Sequence, residues 1–317
     1  MAVPSQVATT GDFSAFLTPE QAEDYFKEIE KTSIVQRLAR KVPMGPTGIS
    51  IPHWNGTVQA QWVGEGEQKP LTKGSFNKQE LKPTKIAVIF AESAEVVRLN
   101  PLNYIGTMRT KIAEAFALAF DAATMHGDNK PTNFGGFLAQ TTKEVSLADT
   151  AAAAGNQTNV YQSIGVTGLS LLVNAGKKWN GTLLDNITEP FLNGSVDSNG
   201  RPLFVESTYS ELTNPFREGR ILSRPTVLND HVAKGTAGSR VVGFMGDFSQ
   251  CIWGQIGGIS FDVTDQATLD FGTAGNPNLV SLWQHNMVAV RAEAEFAWLC
   301  NDTGAFVKLT DKTLPTS

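Results

Sequence analysis

One stretch of the chain, residues 51–96, constrains its fold more than any other. Two runs in which apolar and polar residues alternate, as in β-strands, flank a polar segment at 64–74 that has almost nothing to bury. The first run begins at Ile49 and the second returns from Phe76 to Phe90, so we predict a long hairpin with a polar tip. Because an isolated two-stranded ribbon is at best marginally stable in water, this arm needs a neighbouring molecule to support it.

A helix is predicted before this arm. Thr18 and Gln21 form a capping box, with Pro19 at the first helical position. Apolar residues then recur at helical spacing as far as Leu38, so the helix should end before Pro43. The residues that precede Thr18 are polar and aperiodic, and we expect them to form an arm that depends on a partner.

The clearest helix in the sequence follows the hairpin. Pro101 opens it, an unbroken apolar stripe continues to about residue 126, and Gly127 ends it. At 1.5 Å per residue this helix would span roughly 39 Å, which suits a central beam of the fold.

The second half of the chain is expected to be rich in short strands. Small residues at 148–159 indicate a linker, and frequent Gly and Asn interrupt the elements that follow it. Strands are expected at residues 241–245, 259–263, 288–299 and 305–309.

Composition limits what the chain can bind. Charged residues make up 18% of the chain, the formal net charge is −5 and no block of Lys or Arg occurs, so we expect no nucleic-acid-binding face. No stretch approaches the roughly 20 apolar residues of a membrane span, and the N-terminus lacks the pattern of a signal peptide. We therefore expect a soluble protein made in a cytoplasm. Its two cysteines, Cys251 and Cys300, are expected to be buried, reduced thiols.

The sequence gives little support to an enzyme that acts on a diffusible substrate. Its four histidines are scattered without metal-ligand spacing, and it contains no phosphate-binding loop or nucleophile elbow. Asp128 and Asp247 each adjoin a glycine, an arrangement far more common in turns than in catalytic sites. We expect neither a cofactor nor a bound metal.

Five short strings occur in a fixed order along nearly the whole chain: WVGEG at 62–66, LKPTKI at 81–86, GGFL at 135–138, NGRPL at 199–203 and GDF at 246–248. In their order and spacing they resemble the major capsid protein of tailed bacteriophages with the Hong Kong 97 fold.

This resemblance implies an α+β capsid fold with named parts. They are an N-terminal arm and first helix at 1–41, an E-loop hairpin at 54–84, a peripheral domain from 42–53, 85–159 and 281–317 that contains a spine helix at 101–126, and an axial domain at 160–280.

The resemblance also implies a structural, non-enzymatic function. Copies of the chain would form hexamers and pentamers in an icosahedral virion capsid around double-stranded DNA, without sequence-specific contacts, after assembly in the host bacterial cytoplasm. The expected partners are the chain itself, a portal protein, decoration proteins and a separate scaffolding protein. A separate scaffold is expected because the arm begins almost at Met1, whereas the founding member carries a long scaffolding segment there.

A self-cross-linking reaction is a further expectation from the family. The founding member joins a hairpin Lys to an Asn of a neighbouring subunit with help from a Glu, and Lys69, Asn286 and Glu293 lie in similar stretches. A neutral amine would attack the Asn carboxamide while a Glu accepts its proton as general base, and ammonia would leave. Lys73 is a rival for Lys69. The simpler alternative is a solvated loop cation and two polar strand residues.

Two other functions stay open at this level. An encapsulin-type nanocompartment shell shares the fold but packages enzymes, and its particles would contain protein cargo where a phage head contains DNA. A soluble enzyme or ligand-binding domain, which we disfavour, would form a monomer or small oligomer where a shell protein forms megadalton particles.

Overall fold

The computed structural model describes residues 33–54, 60–69, 71, 74, 76–99, 104–147, 159–197, 199–206, 217–273 and 275–312, and along them helices alternate with strands. This mixture agrees with the expected α and β content. Within the described ranges the helices are α1 (Ile34–Leu38), α2 (Ala94–Leu99), α3 (Tyr104–Met125), α4 (Val160–Gln162), α5 (Leu169–Asn174) and α6 (Glu189–Asn193), and a π-helical segment, Ser163–Gly168, joins α4 to α5.

The strands form two large sheets and two ribbons. They are β1 (Arg40–Lys41), β2 (Ile49–Trp54), β3 (Phe76–Leu81), β4 (Thr84–Ser93), β5 (Glu144–Ser146), β6 (Gly181–Asp185), β7 (Val205–Glu206), β8 (Arg217–Ile221), β9 (Arg224–Asn229), β10 (Val241–Gly246), β11 (Cys251–Thr264), β12 (Thr268–Asp270), β13 (Leu279–Ser281), β14 (Met287–Cys300) and β15 (Phe306–Thr310). One large sheet has the strand order β1-β11-β14-β4, the other has the order β5-β15-β10-β6-β9-β8-β7, and the ribbons are β2-β3 and β12-β13.

Strand β14 is the longest-paired element of the four-stranded sheet. It runs antiparallel to β11 along one edge and to β4 along the other. Buried residues alternate along it, as Ala292 and Arg291 illustrate, because one face of the sheet packs on the core while the other faces outward. In β11 the register shifts between Ile256 and Ser260, where Gly257 has a φ of 60°.

Helix α3 packs against this sheet through an aromatic cluster. The ring of Phe120 lies 5.4 Å from that of Phe296 and 6.0 Å from that of Trp298, which it meets edge to face. The ring of Trp253, in β11, lies 6.3 Å from the ring of Phe120 and belongs to the same cluster. The Trp298 indole N–H donates to the Gly136 carbonyl oxygen at 2.8 Å, so its polar group is satisfied within the core.

A buried carboxylate ties the start of the described chain to α3. Asp121 is fully buried and accepts hydrogen bonds from Ser33 Oγ at 2.6 Å and from the amide of Ile34 at 3.0 Å. The amide of Val35 donates to it at 3.3 Å, and His231 Nε2 lies 3.0 Å from its Oδ2. Asp121 therefore satisfies the first amides of α1 from a distant part of the sequence.

The seven-stranded sheet contributes buried side chains to both large hydrophobic clusters of the fold. Every residue of β6 is buried, and this strand lies parallel to β9 and antiparallel to β10. Asp185 at its end accepts from the amides of Val232 at 3.2 Å and Ala233 at 2.7 Å. These bonds hold the loop after β9 against the end of β6.

The predicted beam helix is confirmed as α3, Tyr104–Met125, about 33 Å long at 1.5 Å per residue. Gly127 follows the end of this helix by two residues, and its φ of 78° is a left-handed conformation that favours glycine. Pro101 lies outside the described residues. The four strands expected in the second half are confirmed as β10, the far part of β11, β14 and β15.

The prediction that the first helix continues to Leu38 is wrong. Its start at Thr18 lies outside the described residues, but Ser33 is extended, with φ −65° and ψ 121°. The Ser33 hydroxyl accepts from the amide of Gln36 at 3.2 Å, so a separate helix begins at Ile34. The residues after α1 form β1, which pairs with β11 rather than extending a helix.

The hairpin is confirmed at its base, where β2 pairs antiparallel with β3. Its second strand, however, does not continue to Phe90 as predicted. The chain leaves the ribbon at Lys82 and Pro83, and β4 joins β14 instead. Pro83 has no N–H for a continuing ladder, which accounts for the break. The last residues assigned to the arm, 94–96, begin α2.

Candidate assembly surface and cross-linking residues

The tip of the hairpin carries the most exposed large apolar side chains of the described chain. Trp62 has a relative exposure of 104% and Leu71 of 98%. Between them the chain turns at Gly64–Glu67, where the Glu67 amide donates to the Gly64 carbonyl at 3.3 Å. The Glu67 carboxylate accepts from the Gly64 amide at 3.0 Å and closes the turn. Fully exposed large apolar side chains, grouped on one projection, are typical of an interaction surface.

Lys69 lies in this exposed tip. Among the described residues it has neither an ion pair nor a side-chain hydrogen bond, and its flexible side chain extends into solvent. Its amine is therefore accessible to a neighbouring molecule. Lys73, the rival amine, lies outside the described residues.

Asn286 lies at a strained corner that precedes β14. Its φ of 52° and ψ of 48° are left-handed, a conformation that Asn tolerates better than most residues. Its carbonyl accepts from the amide of Ala94 at 2.9 Å, which fixes the corner against α2. Its side-chain Nδ2 donates to Glu95 Oε1 at 2.6 Å. The carboxamide is thus exposed, oriented and in direct contact with a carboxylate.

Two exposed apolar side chains lie in the segment that leads to the Asn286 corner. Trp283, in the 3-10 turn just before it, is 69% exposed, and Leu279 of β13 is 70% exposed. The amide of Asn286 donates to the Trp283 carbonyl at 3.4 Å. A partner that covers these side chains would remove water from the vicinity of the carboxamide.

Glu293 lies in the middle of β14, opposite Ala87 of β4 and Ser260 of β11. Its Oε2 accepts from Lys85 Nζ at 3.0 Å, and its Oε1 lies 3.4 Å from Arg291 Nε. Its side chain is largely covered, with 19% exposed. In this chain Glu293 is a carboxylate paired with two cations.

The structure does not bring Asn286 and Glu293 together within one chain. Six residues of extended strand separate Met287 from Glu293, a distance of about 20 Å. The carboxylate beside Asn286 is Glu95, which sequence reasoning missed because the two residues are 191 positions apart. Only the pairing of β14 with β4 places the start of α2 beside this corner.

Neither a metal-binding cluster nor a membrane-spanning helix is found in the described part of the chain. No group of three His, Cys, Asp or Glu side chains within it is arranged to hold a metal ion. None of its helices combines the length and apolar character that crossing a bilayer requires.

Comparisons with known proteins agree on one family. The model of the phage capsid family matches residues 14–311. The chain is 64% identical over 309 residues to the probable major capsid protein gp17 of Mycobacterium phage D29, covering 97% of this chain and 94% of that one. It is 62% identical to the corresponding protein of Mycobacterium phage L5, covering 96% and 93%. A solved structure from Mycobacterium phage Adephagia has a TM-score of 0.72 at 18% identity, covering 98% of this chain and 99% of that one, and so has the same fold.

Proposed function

This chain belongs to the phage capsid family, and from that premise we propose that it is the major capsid protein that builds the icosahedral head of a phage. Its relatives named as major capsid proteins support a structural role in the virion rather than an enzymatic one. In this proposal copies of the chain form hexamers and pentamers that enclose double-stranded DNA. They are assembled in the cytoplasm of the host bacterium.

One observation on the molecule carries the assembly proposal beyond family membership. The β2-β3 ribbon projects a tip on which Trp62 and Leu71 are almost completely exposed. A ribbon of two strands gains little stability alone, and the burial of two such side chains is worth about 2–3 kcal/mol each. A neighbouring subunit that covers the tip would supply this stabilisation.

We assign the parts of the Hong Kong 97 fold to the chain as part of the same proposal. The E-loop hairpin is residues 54–84, the spine helix is 101–126 and the axial domain is 160–280. The peripheral domain combines 42–53, 85–159 and 281–317, and 1–41 forms the arm. Strand β11 falls in the proposed axial range but pairs with β14, so we expect the two domains to share a continuous sheet connection.

The proposed partners follow from a shell that must be filled and closed. They are a scaffolding protein during assembly, a portal protein at one vertex and, on the outer face, decoration proteins. The packaged DNA would be enclosed without sequence-specific contacts, in keeping with a net charge of −5.

The assembly proposal is tested by the size and contents of the purified material. Electron microscopy and gel filtration should show closed megadalton particles, and particles from infected cells should contain double-stranded DNA. Replacing Trp62 with Ala should reduce assembly. Trp283→Ala removes a second exposed tryptophan, which lies outside the arm, and a smaller loss of assembly is expected from it. Material that never exceeds a dodecamer would refute the shell, and particles filled with protein cargo would point to a nanocompartment.

We further propose that the shell is joined by isopeptide bonds between Lys69 and Asn286 of adjacent subunits. The Lys69 amine would attack the Asn286 carboxamide carbon, and the amide nitrogen would leave as ammonia. The contact of 2.6 Å between Asn286 and Glu95 supports this assignment, since it orients the carboxamide. Because Glu293 lies about 20 Å away along the strand, its proposed role as general base requires that it come from a different subunit than Asn286.

Boiling the particles in detergent before electrophoresis tests the cross-link. A ladder of multiples of the 34.2 kDa subunit is expected, and a single band would contradict the reaction. Lys69→Arg keeps the charge but removes the nucleophile, so it should abolish the ladder, and persistence of the ladder would assign the reaction to Lys73. Asn286→Asp keeps the shape and the backbone tolerance of the corner and should also abolish it. Glu293→Gln should slow ladder formation if that residue is the base.

A further inference from the structure

The two cysteines of the chain face each other across the end of the β11-β14 ladder. Cys251 is the first residue of β11, Cys300 is the last residue of β14, and they are direct partners in the antiparallel register. Both are buried and neither is in a disulfide. The expectation that both cysteines are buried is thus confirmed, but their adjacency was not foreseen.

The hydrogen bonds around this pair define its geometry. The amide of Asn301 donates to the Gln250 carbonyl at 2.9 Å, so the pair next to the cysteines is a hydrogen-bonded one. Hydrogen-bonded and non-hydrogen-bonded pairs alternate in an antiparallel ladder, which makes Cys251 and Cys300 a non-hydrogen-bonded pair. Two residues further on, the carbonyl of Trp253 points away from β14 and accepts from the Val42 amide at 2.8 Å, as this alternation requires.

A non-hydrogen-bonded pair has the spacing that a disulfide needs. Its Cα atoms lie about 4.5 Å apart and its side chains point to the same face of the sheet. Disulfides span Cα separations of about 4.4–6.8 Å. The two sulfur atoms can therefore be joined without moving either strand.

The surroundings keep the pair reduced under the conditions in which the chain folds. Burial raises the pKa of Cys251 well above its usual value, and the adjacent Cys300 thiol and the charge of Asp247 raise it further. Thiol–disulfide exchange requires a thiolate, so the reaction is slow in the folded protein and is opposed by the reducing poise of a cytoplasm.

We propose that Cys251 and Cys300 form a redox modification site, a dithiol during assembly that becomes an intrachain disulfide once the particle is exposed to an oxidising medium. Cys300 is the entry point, since it is the terminal residue of its strand and is 6% exposed, whereas Cys251 is completely buried. Local opening of this end of the ladder, which breaks the outer Gln250–Asn301 pair, exposes it. The spacing of the two cysteines does not depend on the proposed capsid function. Only the claim that oxidation follows assembly rests on that function.

A small-molecule disulfide such as glutathione disulfide supplies the oxidant. The Cys300 thiol loses its proton and its sulfur attacks one sulfur of glutathione disulfide, which gives a mixed disulfide and one glutathione thiol. The Cys251 thiol then loses its proton and attacks the Cys300 sulfur, and the second glutathione leaves as a thiol. Two cysteine thiols are oxidised and one glutathione disulfide is reduced to two thiols.

The test counts thiols in the folded, assembled protein. Particles purified with reductant are incubated with glutathione disulfide below their melting transition, quenched in acid, denatured, alkylated and weighed as intact chains. Two alkylated cysteines are expected before oxidation. No alkylated cysteine is expected after oxidation. The oxidised chain should then weigh about 2 Da less than the reduced chain before alkylation, and it should carry no glutathione adduct. Peptide mapping should join Cys251 to Cys300.

Matched variants separate the pair from its single members. Cys251→Ala and Cys300→Ala should each leave one thiol that forms no intrachain bond. The melting temperature of wild-type particles should rise by roughly 5–10 °C on oxidation and return with reductant, whereas neither variant should respond. Two alkylatable thiols after prolonged oxidation, a persistent glutathione adduct or disulfide-linked dimers would each overturn the proposal. Absence of particles would count against the capsid function alone, because the thiol count can be made on the folded chain.

Discussion

Replacing Asp121 with Ala should release α1 from the rest of the fold. The carboxylate accepts hydrogen bonds from Ser33 Oγ and from the amides of Ile34 and Val35, and it contacts His231. Alanine would leave the two amides buried without an acceptor, because Ile34 and Val35 are completely buried.

The expected magnitude follows from those two amides. A buried donor that loses its acceptor costs about 1–3 kcal/mol, so two of them give about 2–6 kcal/mol for Asp121→Ala. Asp121→Asn keeps one acceptor oxygen, and its cost should be about half as large. The Ser33 hydroxyl adds little, since it also accepts from the Gln36 amide and can reorient.

Amide hydrogen exchange measures this effect where it occurs. At about 1.4 kcal/mol per tenfold change, the amides of Ile34 and Val35 should exchange roughly 30-fold to 20,000-fold faster in Asp121→Ala. The midpoint of urea unfolding should fall as well, provided that α1 unfolds together with the core.

An exposed ion pair provides the matched control. Asp262 lies 2.8 Å from Arg291, but their side chains are 61% and 50% exposed. Asp262→Ala should therefore cost about 0–1 kcal/mol and leave the exchange of Ile34 unchanged. If Asp121→Ala and Asp262→Ala had the same effect, Asp121 would not be the anchor of α1.

Two further predictions concern the packing of β10 against β15 and the dependence of stability on pH. Gly246→Ala places a Cβ 2.3 Å from the Ala305 carbonyl oxygen. It should therefore lower the free energy of unfolding by about 1–3 kcal/mol, as measured by urea denaturation. Gly258→Ala, with open space around it, should change stability by less than about 0.5 kcal/mol, and equal effects would contradict the packing argument. Burial lowers the pKa of His126 below its usual 6.5, against an opposing backbone hydrogen bond to Val232. The stability that neutral His126 contributes is fully present above about pH 6.5 and is lost as the pH falls through the folded-state pKa. His126→Gln should therefore flatten the fall in unfolding free energy between about pH 7 and pH 5, and parallel curves for the two proteins would refute this cause.

The beam helix could be predicted from the sequence because its signals are local. An apolar stripe and Gly127 determine α3 and its end, and both are visible without tertiary information. The long strand β14 could be predicted for the same reason, since its alternation matches the two faces of the sheet.

The start of α1 and the end of the hairpin depend on contacts that the sequence does not display. Helical spacing continues through Ser33, yet a carboxylate 88 positions away caps a new helix there. Alternation likewise continues through Pro83, where the loss of one N–H ends the ribbon. In the candidate site, Lys69, Asn286 and Glu293 were named from the family resemblance, and their roles stay a prediction. The contact of Asn286 with Glu95 exists only because β4 and β14 pair.

The two-residue break at Lys82 and Pro83 has a mechanical consequence. No ladder hydrogen bond crosses from β3 into β4, while Leu81 on one side is completely buried and holds the base of the ribbon in place. Any tilt of the ribbon relative to the sheet would therefore be concentrated in this two-residue joint. In the proposed shell of hexamers and pentamers, neighbouring subunits would meet at different angles. Under that proposal, bending at this single joint would let one sequence fit both environments.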